Sequence, residues 1–544
     1  MLPASVLCWS SAGMSLGVTP TTADLFRSTR ELCDSKLSPT SIYRLLAEQG
    51  HRLFADQIFA DLFADVGRSS VPPQVVATVM VLQRIEGASD REAVDRFAFD
   101  LRWKYAAGVD LDYPAFVHTV LVDMRARLRE SERPNRIFEA ALEMAKAAGL
   151  VGRKRVLDST ALYDAVATQD TVTMIRSAIR RLLQQVDEGL RTELQTALKR
   201  EDDYAAAGKP VCDWDDAEAR EALVDALARD GYALLALLDG RELSEPVKSA
   251  AALLATVLGQ DLEQREDGIF RIARRVAPDR VISTVDPEAR HGHKTAARGF
   301  DGYKGHIAID PDSEIITATE VTAGNVGDAV PAETLLNDVL PPPVESTDAQ
   351  STSSEPTPTE PIEVYGDASY GTADLVEKLE AADVEANTKV QPPSGREGKF
   401  SQDDFRIDLD AGTVQCPAGQ LVKLRLSKDG SGEAQFGAHC NNCPLRAKCT
   451  ESKSGRTVYV HPKHRTLDGA RRRQRDPNWK KRYRATRPKV ERKIAHLMRR
   501  KHGGRRARVR GRLRVAQDFA LLAAAVNLAR LAALGAGCPP VKMN

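Results

Sequence analysis

The sequence is poor in aromatic residues and has almost no net charge. Phe, Trp and Tyr make up 5% of its 544 residues, and the formal net charge at pH 7 is +1. The most apolar late stretch, residues 519–534, is interrupted by Asn527 and Arg530 and is shorter than the ~20 residues of a membrane span. Residues 515–534 are expected to form an amphipathic C-terminal helix. The first 26 residues contain no Lys or Arg, so the positive start of a secretory signal is missing. The sequence therefore predicts a cytoplasmic protein without a membrane segment.

Cysteine is also scarce, because eight Cys in 544 residues are too few for a disulfide framework. Half of them nevertheless fall within 34 positions, at Cys416, Cys440, Cys443 and Cys449. Four thiols with a short CxxC pair are typical of a tetrahedral structural Zn²⁺ site. Free thiols are the alternative interpretation, and His461 or His464 in place of one Cys is a third.

The small net charge conceals a strong segregation. Residues 471–514 hold 21 Lys and Arg against only Asp476 and Glu491, a local charge of +19, which leaves −18 for the rest of the chain. So many cations repel one another unless a polyanion is present, and nucleic acid is the commonest polyanion. Phosphate contacts of this kind depend steeply on salt and carry little sequence information.

The N-terminal part of the chain predicts helices. Apolar residues follow a 3.6-residue period after Pro72, Gly87 ends that pattern, and Ser89 with Glu92 forms a capping box that begins the next helix. Two helices joined by a Gly turn are typical of a helix-turn-helix, although an ordinary helical hairpin is the commoner case.

Carboxylates mark the ends of two predicted strands, 155–160 and 362–367, which carry Asp158 and Asp367. A hairpin is predicted between them, with strands at 303–310 and 314–321. A third carboxylate, Glu491, stands alone among the cations of the basic block, on an apolar-periodic helix that can pack against a sheet. A single strand-end Asp usually caps or turns the chain.

Three carboxylates at one sheet edge cannot all stay ionised without cations, and this arrangement binds Mg²⁺. Two such ions ~3.5 to 4 Å apart can activate an attacking oxygen and stabilise the leaving oxygen in phosphodiester transfer.

At this point four motifs carry a family resemblance. They are Arg155-Val-Leu-Asp-Ser-Thr, Asp301-Gly-Tyr-Lys-Gly-His, Tyr365-Gly-Asp-Ala-Ser-Tyr-Gly and Tyr483-x₃-Arg487-x₃-Glu491. Together with Gly-Ala-Ser-Asp-Arg-Glu at 87–92 and Asn325-x-x-Asp328, they resemble the DDE transposases of bacterial insertion sequences, in particular the group around insertion sequence eleven-eighty-two. The resemblance runs from about residue 50 to residue 531.

The resemblance implies an α/β fold: an RNase H-like mixed-sheet catalytic core with a helical N-terminal domain, a helical insert and a zinc-ribbon-like insertion. Its expected boundaries are an N-terminal tail at 1–40, a helical domain at 41–150 that is a candidate for DNA binding, the core at 151–340, 362–399 and 461–535 with its insert at 170–275, a disordered loop at 341–361, the Cys-rich insertion at 400–460 and a C-terminal tail at 536–544.

The resemblance also implies the chemistry. Asp158, Asp367 and Glu491 would be the catalytic ligands of Mg²⁺ or Mn²⁺, while the four cysteines would hold structural Zn²⁺. The residues expected to contact DNA are Lys304, Tyr483, Arg487, Arg499, Arg505, Arg506 and Arg508. Pro488 is expected to separate Tyr483 and Arg487 from the helix of Glu491. Trp479 and Tyr483 either stack on an unpaired base or, more commonly, pack internally.

The implied partners are double-stranded DNA with terminal inverted repeats and a target DNA, bound by a homodimer or larger assembly in the bacterial nucleoid. Two alternatives remain at this stage. One is a DNA-binding regulator of transposase descent that no longer cuts, and the other is a simple RNase H-like nuclease without strand transfer.

Overall fold

The computed structural model of the chain describes residues 15–18, 28–164, 168–206, 208–295, 298–340, 361–393, 395 and 398–536. The loop predicted at 341–361 therefore lies outside the described residues except for Pro361. Most of the two predicted tails lies outside them as well.

The N-terminal region is helical. Its helices are α1 (Thr29–Asp34), α2 (Ile42–Leu53), α3 (Pro73–Glu86), α4 (Asp90–Phe99), α5 (Leu101–Ala107), α6 (Thr119–Glu130) and α7 (Arg136–Ala147), with a 3₁₀ helix at Asp56–Leu62. The N-terminal tail was expected to reach residue 40, but α1 lies within that range and is attached to the helical region. The Thr29 hydroxyl donates to the Val109 carbonyl (2.9 Å), and the Tyr105 hydroxyl donates to Asp34 (2.6 Å).

The predicted boundary between α3 and α4 is confirmed. Helix α3 begins with Pro73 and ends at Gly87, whose φ of 67° suits glycine. The Ser89 hydroxyl accepts from the Glu92 amide and the Glu92 carboxylate accepts from the Ser89 amide, which completes the capping box. A Cβ on Gly87 would lie 2.3 Å from the Lys501 carbonyl oxygen, so the glycine also lets the basic block approach this turn.

Strand β1 (Lys154–Tyr163) follows, and it leads into the insert. The insert contains α8 (Thr171–Gln185), α9 (Glu188–Ala197), α10 (Ala217–Leu238), α11 (Glu245–Asp261), β2 (Leu262–Gln264) and β3 (Phe270–Ile272). Four helices confirm its helical character and pack around their own apolar core. The small antiparallel hairpin of β2 and β3 at its end was not predicted.

A mixed sheet lies at the centre of the fold. Its remaining strands are β4 (Arg290–Thr295), β5 (Arg298–Ile309), β6 (Ile316–Ala323), β7 (Ile362–Gly366) and β8 (Val384–Thr388), with α12 (Ala332–Leu335) and α13 (Ala373–Ala381) between them. The strand order is β6–β5–β1–β7–β8, and β4 pairs with the first part of β5. Strand β5 is antiparallel to β1 and β6, whereas β7 is parallel to both β1 and β8. The predicted β5–β6 hairpin is confirmed.

Short strands make up the Cys-rich segment. They are β9 (Arg406–Asp408), β10 (Thr413–Gln415), β11 (Leu421–Lys423), β12 (Arg425–Leu426), β13 (Gly432–Gln435) and β14 (Thr457–Val460), with α14 (Arg446–Cys449) and 3₁₀ helices at Gln402–Asp404 and Gly437–Cys440. They form two small three-stranded antiparallel sheets, β11–β10–β9 and β12–β13–β14, around one apolar core.

The chain then forms α15 (His464–Arg475), α16 (Pro477–Thr486), α17 (Pro488–Leu497), a 3₁₀ helix at Arg500–His502 and α18 (Arg512–Ala533). The expectation of an amphipathic C-terminal helix is wrong, because α18 is buried on most of its faces. It is the one described helix that is long and apolar enough to cross a membrane, but 78% of its apolar window is buried in the fold, as in a core helix.

Two polar residues attach α18 to the β5–β6 hairpin. The fully buried Asn527 amide accepts from the Ile316 amide (2.9 Å) and donates to its carbonyl (2.8 Å). The Arg530 Nε donates to the Ser313 carbonyl (2.8 Å). The residues that interrupt the apolar run thus satisfy backbone groups that the helix would otherwise bury unpaired.

Successive residues of β1 face different layers. Val156 packs with α18 and the N-terminal helices, while Leu157 packs on the opposite face with α12 and α13. The N-terminal helices therefore share one apolar core with the sheet and α18.

Candidate active site

Two of the predicted carboxylates lie side by side on the sheet. The parallel pairing of β1 and β7 places Val156 opposite Tyr365. Asp158 and Asp367 each follow two residues later, so they lie at the same level on adjacent segments of the backbone. Because side chains alternate along a strand, both carboxylates point to the face that holds Val156. Neighbouring strands are ~4.8 Å apart, and this spacing brings the two acids together.

Helix α17 brings the third carboxylate to the same place. Its residues Val490 and Leu497 are fully buried in the shared core, where the helix packs against β1. The expectation that Pro488 separates two helices is confirmed, since α16 ends at Thr486. The Arg487 amide still donates to the Tyr483 carbonyl (2.9 Å), and its φ and ψ of −57° and −40° are helical.

All three carboxylates surround one guanidinium group, that of Arg487. Its Nη2 lies 3.1 Å from Asp158 Oδ1 and 3.8 Å from Asp367 Oδ2, and its Nη1 lies 3.4 Å from Glu491 Oε1. The Arg487 side chain is 8% exposed, compared with 14% for Asp158, 42% for Asp367 and 62% for Glu491. Its Nε and Nη1 make no hydrogen bond to any described residue, so charge attraction holds this side chain as much as hydrogen bonding does.

Burial and charge oppose each other at this site. Burial raises the pKa of Asp158, and the Arg487 cation only partly offsets this, so that the pKa reaches about 6. Burial by itself lowers the pKa of Arg487, but the carboxylates outweigh it and the net shift is upward. The site therefore concentrates negative charge around a single buried cation.

The walls of the site include residues to which the sequence assigned no role. Asp328 accepts from the Ser159 hydroxyl (2.8 Å) and pairs with Lys304 (2.8 Å), which places a fourth carboxylate against β1 at the residue that follows Asp158. Burial, with the negative charges of Asp328, Asp158 and Asp367, raises the pKa of the Tyr370 hydroxyl well above its usual range.

His306 lies next to this tyrosine and is fully buried. Its Nδ1 lies 3.3 Å from the Tyr370 hydroxyl, and its Nε2 lies 2.9 Å from Thr322 Oγ1. Burial lowers the pKa of His306 to about 4, so the ring is neutral at pH 7. In the sequence, only their positions inside two of the quoted motifs indicated that His306 and Tyr370 belong near the site.

The residues predicted to contact DNA fall into two groups. Three are engaged inside the protein: Lys304 pairs with Asp328, Arg487 lies among the carboxylates, and Tyr483 stacks on Trp479 (4.8 Å between ring centroids, 13° between planes). The aromatic pair is therefore packed internally. Arg499, Arg505, Arg506 and Arg508 are exposed, and none forms an ion pair with a described residue. Arg508 also donates to the Ala88 carbonyl (2.5 Å).

The expectation that the basic block is uncompensated is wrong for its first half. Acids from distant segments pair with it: Arg473 with Glu380 (2.7 Å) and Arg482 with Glu385 (2.7 Å) are examples. A charge count over residues 471–514 does not include these acids, because they are close to the basic block in space but far from it in sequence. Among the predicted DNA contacts, the exposed cations without ion pairs are confined to residues 499–508.

The four cysteines line one small cavity in the Cys-rich segment. None of the four is in a disulfide bond, and the Arg456 amide donates to Cys440 Sγ (3.4 Å). Burial, with the neighbouring Cys440, Cys416 and Cys443 thiols, raises the pKa of Cys449. Across the described part of the chain, no group of three or more His, Cys, Asp or Glu side chains stands ready to hold a metal ion.

Carboxylates that converge on one face of a sheet can hold the pair of metal ions with which many enzymes transfer phosphodiesters. The family comparison agrees with this class: residues 415–532 match a model described as Transposase DDE domain, and residues 32–127 match one described as Transposase domain (DUF772). Together the two matches indicate a transposase of the DDE class, and the mixed α/β fold fits it.

The first match contains Glu491 and all four clustered cysteines, whereas Asp158 and Asp367 lie outside both. No curated protein and no solved structure matches the chain at a significant level.

Proposed function

We propose that this chain is a transposase that binds the ends of a mobile DNA element, cleaves them and joins them to a target. The convergence of Asp158, Asp367 and Glu491 on one guanidinium carries the proposal. The strand order β6–β5–β1–β7–β8, with β7 and β8 parallel to β1, supports an RNase H-like core. The quoted motifs support the group around insertion sequence eleven-eighty-two.

The donor set fits Mg²⁺ or Mn²⁺, because carboxylate oxygens are the ligands these hard ions prefer. Asp158, Asp367 and Glu491 would hold the ions, and Asp367 and Glu491 are exposed enough to move toward them. When bound, the ions lower the pKa of the attacking oxygen and stabilise the charge on the leaving oxygen. Arg487 supplies the positive charge between the carboxylates in the ion-free protein, so it would have to withdraw as ions bind.

The proposed reaction has two steps. In the first, water attacks a phosphodiester at the element end, the bond to the 3′ oxygen breaks, and a 3′-hydroxyl and a 5′-phosphate form. In the second, that 3′-hydroxyl attacks a target phosphodiester and releases a target 3′-hydroxyl. The number of phosphodiester bonds is unchanged in this second step, and no covalent bond to the protein forms.

The exposed cations Arg499, Arg505 and Arg506 would contact DNA phosphates outside the carboxylate site. The backbone of residues 505–507 supports this placement, because it pairs with Tyr163 at the end of β1, the strand of Asp158. Binding and chemistry would thus use different residues of one surface. We further propose that a dimer or larger assembly forms on DNA, so that two element ends are processed together.

We also propose that Cys416, Cys440, Cys443 and Cys449 hold one structural Zn²⁺ in a zinc-ribbon-like insertion. The observation that supports this is that the four thiols line the same cavity.

The test uses the full-length protein, Mg²⁺ and a DNA fragment that carries the inverted repeats flanking the gene. Strand-transfer products would support the proposal. Cleavage without transfer would make the protein a nuclease, and binding without cleavage would make it a regulator; either result would overturn the assignment. A fragment with scrambled repeats is the matched control.

A further inference from the structure

A cavity of about 450 Å³ lies between the N-terminal helices and α18, on a different part of the protein from the carboxylates. This volume is within the ~300–1,000 Å³ range of small-ligand sites. Side chains of α3, α6, α7 and α18 make an apolar floor, formed by Met80, Leu128, Ile137, Phe138 and Leu521. A ligand with an apolar part can therefore bury it here.

The rim of the cavity is cationic. Arg129, Arg508 and Arg514 line it, and none of the three forms an ion pair with any residue that the structure describes. The two acids of the lining are already engaged, Asp90 with Arg125 (2.6 Å) and Asp518 with Arg84 (3.0 Å). Burial, and to a smaller extent the nearby Arg514 cation, lowers the pKa of Arg129. Gln517, which is 8% exposed, has a side-chain Nε2 without a hydrogen-bond partner.

We propose that this cavity binds a nucleotide, with the phosphate on Arg129 and Arg514 and the base on the apolar floor. An inorganic anion would leave the floor uncovered, and a purely apolar ligand would leave the guanidinium groups uncompensated. Arginine guanidinium groups pair with both carboxylate and phosphate oxygens. Two cations on one rim suit a group that carries more than one negative charge, and a phosphate carries about −1.5 to −2 at pH 7.

The nucleotide has two possible sources, a free nucleotide or an unpaired nucleotide in a bound DNA strand. The second source rests on the proposed function, and the structure gives a route for it. Arg505 and Arg506 are exposed beside the end of β1, and Arg508 follows them at the cavity rim. Arg506 and Arg508 are two residues apart, so a DNA strand that contacts Arg505 and Arg506 would also pass close to the cavity.

The first experiment measures binding of a fluorescent adenosine monophosphate to the full-length protein by anisotropy, without divalent ions. Arg129→Gln and Arg514→Gln should each weaken binding about tenfold, because each removes a charge-assisted contact to phosphate. Arg52→Gln is the matched control, since Arg52 is exposed, forms no ion pair with a described residue and lies outside the cavity. It should bind like the parent protein.

Competition with inorganic phosphate tests the role of the floor. Phosphate should displace the probe only at a concentration at least tenfold higher than adenosine monophosphate needs. Equal potency would overturn the nucleotide assignment. Val509→Trp, which fills the cavity without removing a cation, should also abolish binding, and melting curves would show that each variant is folded.

The second experiment uses a DNA duplex with one unpaired 2-aminopurine nucleotide, whose fluorescence reports its surroundings. A change in fluorescence that Arg514→Gln removes and Arg52→Gln keeps would identify the strand as the source. Binding of the free nucleotide alone would identify the free form. If neither probe responds to Arg129→Gln and Arg514→Gln, the inference is wrong. Neither measurement requires DNA cleavage, so failure of the nucleotide-binding inference can be distinguished from failure of the proposed transposase activity.

Discussion

Two clusters of potential metal ligands in this protein differ in how far apart their residues lie in the chain. The carboxylates come from positions 158, 367 and 491, within β1, directly after β7 and on α17, and they meet around one guanidinium. The four thiols come from 34 consecutive positions and line one cavity. The carboxylate site depends on the whole sheet being built, whereas the thiol cluster depends on a local segment. Damage to the first should affect chemistry, and damage to the second should stay local.

The largest expected effect is at the carboxylates. Asp158→Asn, Asp367→Asn and Glu491→Gln should each lower strand transfer by several orders of magnitude, and the triple variant should be scarcely worse, because the three act as a unit. DNA binding, measured by gel shift, should remain near that of the parent. Asp312→Asn, at an exposed acid that pairs with Lys489, is the control and should stay active. Full activity of Glu491→Gln would show that the third ligand is another residue.

The next effect is on the stability of the carboxylate site. Arg487→Met should lower the free energy of unfolding by about 3 to 5 kcal/mol, because it leaves three carboxylates without their buried counter-charge. Mg²⁺ or Mn²⁺ should then raise the melting temperature of the variant more than that of the parent. Arg492→Met is the control: Arg492 lies on α17, is 62% exposed and pairs with Glu314 in the β5–β6 turn, so its loss should cost ~1 kcal/mol or less. Equal losses in the two variants would contradict the role given to Arg487.

The thiol cluster should respond differently. The purified protein should contain about one Zn²⁺ per chain, and Cys443→Ser should lose it. Hydrogen exchange should then rise in residues 400–460 and stay unchanged in the central sheet. Cys212→Ser, which removes a thiol outside the cluster, should keep the metal. Protein purified without chelators that contains no zinc would refute this site.

The smallest effect concerns the exposed cations. Arg505→Ala with Arg506→Ala should flatten the slope of log K against log salt by up to ~0.9 per lost phosphate contact. The double variant Arg52→Ala and Arg153→Ala changes charge equally at exposed positions elsewhere and should keep the slope. If the two double variants have the same slope, Arg505 and Arg506 do not contact DNA phosphates.

Local sequence patterns predicted the elements that carry the site. Strand β1 with Asp158, the strand that ends before Asp367, the β5–β6 hairpin and the helix of Glu491 all lie where periodicity and turn residues indicated. These patterns are readable because side-chain alternation and helix capping depend on neighbours within a few residues. The amphipathic assignment of α18 failed, since a helix surrounded by other elements buries most of its faces.

Only the tertiary structure decided which charges meet. The sequence by itself determined that two carboxylates belong to predicted strand segments and a third to a predicted helix, and that cations crowd residues 471–514. Its placement of Asp158 at a strand end was wrong, because β1 continues to Tyr163. It did not show that Arg487 lies among those carboxylates, that Asp328 contacts Ser159 on β1, or that acids such as Glu380 and Glu385 neutralise part of the basic block. Coulomb interactions act across space at a few ångströms, so their partners are set by strand register and helix packing and not by distance along the chain.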